Sequence, residues 1–188
     1  DTLEGRLQAK GTLADPELAL ELRLLSEATA RPALESGRVR LRYRAHQLTI
    51  EEMAFAGQGS RISVSGCYHP RSGLALESIV DPLDLDRVAG QITRRYGLAV
   101  RGKMRARASL TGPLSSPRAE ISGSLDSLVV NNVDVDEFTF AGEVSKEGLV
   151  RLSSVLLRQG ESEALLSGHV DLRGDKLDLA LTLRDLHL

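Results

Sequence analysis

The sequence has no tryptophan, only three phenylalanines and three tyrosines in 188 residues, and a single cysteine. So few aromatics leave almost no stacking platform for bases or sugar rings. One cysteine, Cys67, excludes an intrachain disulfide but leaves the redox compartment open, because periplasmic proteins need not contain disulfides. No apolar run approaches the roughly 18 residues of a membrane-spanning helix, and there is no signal-peptide core. An excess of one charge is also missing. The 24 Lys and Arg stand against 26 Asp and Glu, a formal net charge of −2, which gives no bulk drive toward nucleic acid or an anionic membrane. Catalytic signatures are absent as well: no G-x-S-x-G, no phosphate loop, no dinucleotide fingerprint. His46, His69, His169 and His187 fall in no metal-ligand spacing, so neither a metal nor a cofactor is expected, and the chain does not read as an enzyme.

What is present is aliphatic and alternating. Hydrophobic residues make up 41% and charged residues 27%, the balance of a globular chain long enough for one domain or two tandem units. The clearest run closes the chain. Leu177, Leu179, Leu181 and Leu183 alternate with Asp178, Ala180, Thr182 and Arg184, the period-two pattern of a strand with one apolar face. Leu166, Gly168, Val170 and Leu172 repeat the pattern before it, and Arg173-Gly174-Asp175-Lys176 supplies the turn of a hairpin.

Similar strands recur throughout. Leu3 to Lys10 leads through GTLADP to a run in which Leu18, Leu20, Leu22 and Leu24 alternate with polar or small residues. Ser26 to Gly37, with Pro32 and several small residues, reads as a loop. Arg38 to Arg44 sets Val39, Leu41 and Tyr43 on one face and Arg38, Arg40, Arg42 and Arg44 on the other. Between Ile50 and Met53 the parity changes, which predicts a bulge at Glu51-Glu52. Arg61 to Cys67 and Leu74 to Val80 continue the series. Asp84 then reads as the N-cap of a helix through Leu85, Val88, Ala89, Ile92 and Tyr96, stopping at Gly97, with Arg94 and Arg95 complementing its dipole, and such a short amphipathic helix is expected to plug or cap the apolar face of the sheet. Further strands are expected over Leu98 to Leu110, Ala119 to Leu125, Leu128 to Val130, Val133 to Val144, Leu149 to Leu157 and Ala164 to Leu172, with a turn at Asn131-Asn132 and another at Lys146-Glu147-Gly148.

Much of this is said twice. GTLADP and GPLSSP, beginning at Gly11 and Gly112, share the pattern G-x-L-x-x-P 101 residues apart, as do Gln58-Gly59 and Gln159-Gly160. Ser65-Gly66 and Ser167-Gly168 lie 102 apart, and the segments ending at Leu85 and Leu188 lie 103 apart. Four matches in the same order predict a repeat of about a hundred residues built from successive hairpins. The expected division is a first repeat over 1–85, a short amphipathic helix over 86–97 and a second repeat over 98–188. The abrupt strand-like ends read as those of a piece of a longer protein.

The string of hairpins, the G-x-L-x-x-P punctuation before an alternating strand, and the endings with alternating leucines resemble TamB and the wider AsmA-like proteins, over essentially the whole chain. The resemblance implies an all-β fold, an elongated curled sheet in the form of a half-pipe or β-taco whose concave face is apolar. It also implies a parent anchored in the inner membrane of a diderm bacterium, crossing the periplasm and carrying phospholipid toward the outer membrane. The implied partners are phospholipid acyl chains, neighbouring repeats of the same chain and, through the parent, an Omp85-class outer-membrane barrel like TamA.

Leu20, Leu22, Leu41, Ile50, Val64, Ile121, Phe140, Leu152, Val170, Leu179 and Leu181 are the residues expected to line such a groove. Two other classes fit the same alternation: a structural or adhesin-like repeat whose apolar face is closed in a sandwich, and a chaperone-like module offering an edge or groove to outer-membrane strands. The rows Arg38/Arg40/Arg42/Arg44 and Arg101/Lys103/Arg105/Arg107 could attract phosphates, but with acids outnumbering bases they read as a solvated outer face that discourages edge aggregation. Asp81, Asp84 and Asp86 lack the Gly and terminal Glu of a calcium loop and read as capping and turn residues, and Cys67 reads as an incidental thiol.

Overall fold

The computed structural model describes residues 2–12, 15–25, 35–57, 59–85, 97, 99–145, 149–171 and 176–185. Every regular element among them is a strand, joined antiparallel to its neighbours. The chain divides into two compact units, residues 1–80 with 109–117, and residues 81–108 with 118–188.

The first unit is a meander of β1 (Thr2–Gly11), β2 (Pro16–Leu25), β3 (Ser36–Arg44), β4 (Gln47–Gly57), β5 (Ser60–His69) and the start of β6 (Gly73–Asp84). Alternating Leu, Val and Ile suit a pleated, half-buried surface, and tight turns set the register between strands. Ala45 and His46 both have positive φ, 49° and 64°, the type I′ conformation whose twist matches that of the flanking strands. The bulge expected at Glu51-Glu52 is present. Arg40 stands opposite Glu52 while Leu41 stands opposite Ile50, so Glu51 is the extra residue, and β4 shifts register against β5 at the same place.

The second unit contains β7 (Val100–Gly112, as far as residue 108), β8 (Arg118–Val130), β9 (Val133–Val135), β10 (Glu137–Val144), β11 (Leu149–Gln159), β12 (Ser162–Asp171) and β13 (Lys176–Arg184). The strand order is β7-β8-β10-β11-β12-β13, with β9 paired on β8. Three expectations are corrected here. The strands expected over Ala119 to Leu125 and Leu128 to Val130 are one, β8, which bends at Ser127, where φ is 53°. Val133 to Val144 is two strands, because the I′ turn at Asn131-Asn132 folds Val133–Val135 straight back on β8 before the chain moves on to β10. Asp81 to Asp84 belong to β6 instead of a turn, and Asp81 pairs with Arg105 at 3.1 Å. The helix expected over 86–97 lies outside the described residues apart from Gly97. So do residues 26–34 of the loop expected over Ser26 to Gly37, whose Ser36 and Gly37 instead open β3, the turn at 146–148, Leu172, and residues 173–175 of the turn expected at 173–176, whose Lys176 opens β13.

The two G-x-L-x-x-P segments open on glycines of the same conformation. Gly11 and Gly112 have φ of 89° and 97°. Thr12 N–H donates to the Asp15 carbonyl in the first loop, and Ser116 N–H donates to the Pro113 carbonyl in the second. The direction reverses because Pro113 has no N–H to give.

Pairing repeats as well. In the first unit Leu20 stands opposite Leu41, Leu41 opposite Ile50, Ile50 opposite Gly66 and Gly66 opposite Leu76. In the second, Ile121, Gly142, Leu152, Gly168 and Leu179 follow in the same order, with a bulge between Leu152 and Val155 answering the one between Ile50 and Met53. Gly66 and Gly168 hold φ of 133° and 140°, and a Cβ on either would collide with the backbone carbonyl of the adjacent strand, at Ala75 and Asp178.

Candidate functional site: one apolar face in each unit

Residues directly opposite in an antiparallel pair project from the same face, so register alone sorts the side chains. In the first unit, one row runs Leu7, Leu20, Leu41, Ile50, Gly66, Leu76. The next runs Gly5, Leu22, Val39, Met53, Val64, Ser78, and a third runs Leu3, Leu24, Gly37, Phe55, Ile62, Val80. The face is almost wholly aliphatic. Its five expected lining residues here, Leu20, Leu22, Leu41, Ile50 and Val64, all stand on it.

The second unit builds an equivalent face. Ile121, Gly142, Leu152, Gly168 and Leu179 form one row, and Gly123, Phe140, Val155, Leu166 and Leu181 form the next. Val170 follows Leu166 and Gly168 at alternate positions of β12 on this same side, opposite Val150. All six residues expected here therefore share one face. The residues expected to line the groove did not include Leu24, Val39, Phe55, Ile62, Leu125, Phe138 and Leu166, which stand beside them; the alternation that puts Leu24 with Leu22, Val39 with Leu41 and Leu166 with Val170 is the signal that finds them.

Glycines on these faces sit beneath their neighbours. Phe55 lies over Gly37 and Phe140 over Gly123, each so close that a Cβ on the glycine would displace the ring, and Leu22 lies over Gly5 in the same way. Phe138 and Phe140 pack obliquely, with centroids 6.3 Å apart and planes at 51°. Large side chains thus lie down across the sheet and cover part of it themselves.

Among the described residues the strands form a single sheet, with no second sheet over either face. Among the described elements the extensive contacts are those of sheet neighbours, and β9 also touches β11. Among the described hydrophobic residues only Leu128, 4% exposed, and Val135, 7% exposed, are buried. These two stand opposite each other where β9 folds on β8. Leu3 and Leu7 are each 68% exposed and Leu181 60%.

The opposite face carries an ion lattice. In the first unit Glu21 meets Arg23 at 3.0 Å and Arg40 at 3.5 Å, Glu52 meets Arg40 at 3.5 Å and Arg38 at 3.7 Å, and Glu51 meets Arg42 at 2.9 Å. The hydrogen bond from Arg23, aided by the positive charges of Arg23 and Arg40, holds the Glu21 carboxyl below the ordinary glutamate range against a smaller opposing effect of desolvation. In the second unit Arg105 lies between Asp81 and Asp126, at 3.1 and 2.9 Å, and Arg158 between Glu137 and Glu163, at 2.7 and 3.4 Å. These guanidiniums already have carboxylates, so the arginine row is a mixed-charge surface and not an anion trap.

Among the described residues no cluster of His, Cys, Asp and Glu could hold a metal ion, and no helix is long and apolar enough to cross a membrane. No family model, no curated protein and no solved structure matches the chain.

Proposed function

We propose that this chain is a segment of a non-enzymatic lipid conduit of the TamB/AsmA-like kind, in which phospholipid acyl chains move along the apolar faces of the sheet. The parent protein would be anchored in the inner membrane of a diderm bacterium and extend through the periplasm toward the outer membrane, serving outer-membrane biogenesis beside an Omp85-class barrel. One observation carries the reading: two faces rich in Leu, Ile, Val and Phe in register, with only Leu128 and Val135 buried among the described hydrophobic residues.

Exposing an acyl chain to water costs about 0.8 kcal/mol per methylene, so a two-chain lipid does not cross an aqueous gap unaided at useful rates. A uniform aliphatic strip lowers that cost along its whole length without a deep well to trap the cargo. Rows of similar side chains, repeated between units, supply that uniformity. The charged opposite face keeps the sheet soluble and discourages stacking of one molecule on another.

The test is to purify the chain from cells without detergent, extract it with organic solvent and measure co-purified lipid by mass spectrometry, alongside uptake of a spin-labelled phospholipid. Stoichiometric phospholipid and a motionally restricted acyl chain are expected. An extract free of lipid, together with no uptake by the folded chain, would refute the conduit and favour a face closed in a structural sandwich.

A further inference from the structure

We infer that a phospholipid held on the first unit lies with its phosphate at the margin marked by Tyr43 and Tyr68 and its acyl chains running along the strands toward Phe55 and Ile62; the inference rests on the conduit reading and gives that conduit a headgroup side. Leu18, Tyr43, Leu48, Tyr68 and Leu74 stand opposite one another in turn, so they form the last row of the apolar face before the turns at Ala45-His46 and at 70–72. The row at the other margin is Leu24, Gly37, Phe55, Ile62 and Val80, with no polar side chain in it. Neither tyrosine hydroxyl has a hydrogen-bond partner among the described residues, and neither is buried. A phenol with an apolar body and a free polar tip suits the line where hydrocarbon meets water, and its O–H can donate to a phosphate oxygen.

The fold itself does not ask for tyrosine there. In the second unit the corresponding row is Ala119, Val144, Val150, Val170 and Leu177, so β10 and β12 carry valine where β3 and β5 carry Tyr43 and Tyr68. Charge agrees with the assignment. Arg44 ends β3 next to Tyr43, and Arg71 lies in the turn between β5 and β6; both are exposed, and neither is ion-paired among the described residues. The acids of this margin among the described residues, Asp15 and Glu17, lie on the β2 side, three strands from Tyr68 in the sheet. The far margin carries Arg61 together with Glu35, and no phenol among the described residues. The length fits as well. Six residues separate Tyr43 from Gly37 and Tyr68 from Ile62, about 20 Å of extended strand, against about 15 Å for the hydrocarbon of one bilayer leaflet. The strip therefore takes the chains and the glycerol beneath the phosphate. Across the strands there is no comparable polarity, since the middle row runs Leu20, Leu41, Ile50, Gly66, Leu76.

The full chain, isotope-labelled, is loaded with phosphatidylcholine carrying a nitroxide either on the headgroup or near the chain end, and paramagnetic broadening of backbone amides is read by NMR. The headgroup label should broaden Tyr43, Leu48 and Tyr68, and the chain-end label Gly37, Phe55 and Ile62. Tyr43→Phe combined with Tyr68→Phe keeps both rings and removes both hydroxyls. It should weaken phosphatidylcholine binding by roughly tenfold and leave binding of hexadecane, a chain without a headgroup, unchanged. Circular dichroism confirms that the double variant is folded. The reverse labelling pattern, the same residues broadened by both labels, or a double variant that binds phosphatidylcholine like wild type or loses hexadecane equally would each overturn the orientation while leaving the conduit in place. No broadening by either label would instead remove the conduit itself, and the orientation with it.

Discussion

Replacing Ile121 by aspartate puts a charge on the apolar face of the second unit at a place where the cost can be worked out. Ile121 stands opposite Gly142, with Ala119 and Gly123 before and after it on the same side of β8, and it is 39% exposed. Fully burying an isoleucine contributes about 1.5–3 kcal/mol, so the three-fifths that is covered contributes about 1–2 kcal/mol. Aspartate is a poor strand former, adding up to about 1 kcal/mol. Because the new carboxylate reaches water, no charge burial is added, and the total is about 1–3 kcal/mol, within what a domain of ordinary stability tolerates. Were the face packed against a second layer, the same substitution would bury an unpaired charge and cost well above 5 kcal/mol, enough to unfold the unit. Urea unfolding followed by far-UV circular dichroism gives the first quantity, and mass spectrometry of bound lipid gives the second. The expected variant is folded, destabilised by about 1–3 kcal/mol, and depleted of lipid. A variant that cannot fold, or one that folds and keeps its full lipid complement, would refute the reasoning.

Other positions test the same physics. Leu128→Ala, at one of the two buried hydrophobic positions among the described residues, should cost about 2–4 kcal/mol by urea unfolding, whereas Leu3→Ala, on a residue 68% exposed, should cost less than about 1 kcal/mol. Gly168→Ala should destabilise by more than about 2 kcal/mol because φ is 140° and the new methyl meets the Asp178 carbonyl; Gly160→Asn, at φ 57° with open space around it, should stay within about 1 kcal/mol in the same assay. Glu21 has a depressed carboxyl pKa, so its pairing with Arg23 and Arg40 contributes stability above the ordinary glutamate range and loses it as pH falls through the acid range. Thermal melts from neutral to acid pH should therefore show a gap between wild type and Glu21→Gln that narrows on acidification and also shrinks in high salt; a gap that widens in acid would contradict the assignment.

The strands and their apolar faces were legible because each unit is one layer: a strand with one greasy and one charged side must alternate with period two. The bulge at Glu51-Glu52 was legible for the same reason, since Ile50 and Met53 can share a face only if one residue between them is extra. The separation of β9 from β10 left a signal that was passed over. Val133 and Val135 have the opposite parity to Phe138 and Phe140, and two asparagines suited to positive φ demand an immediate hairpin. Asp81-Pro82 looked like a turn because proline usually punctuates, yet it lies inside β6, whose Asp81 is held by Arg105. The ion lattice was beyond reach from sequence alone. The arginines of β3 were visible as a row, but their partners Glu21 and Glu52 lie on separate strands and become neighbours only once the register is known.

How these units hold together without a conventional core bears on what they can do. A side chain between two packed layers has neighbours above it as well as around it; in a single layer its neighbours come only from its own strand and the strands on either side. Intermediate burial is then a geometric ceiling and not a packing defect, and it explains why Leu20, Leu41 and Leu152 are neither buried nor fully exposed. Stability must come from long unbroken ladders, from cross-strand rows and from the ion lattice, each contributing tenths of a kcal/mol to about one per pair. Because no single contact dominates, the apolar strip can change its covering, from water to an acyl chain, without any element giving up a partner it needs to stay folded. A sandwich would have to separate two layers to admit the same cargo, losing about 25 cal/mol for each Å² of apolar surface parted. The half-covered face is therefore both the fold's weakness and the feature best suited to a mobile hydrocarbon ligand.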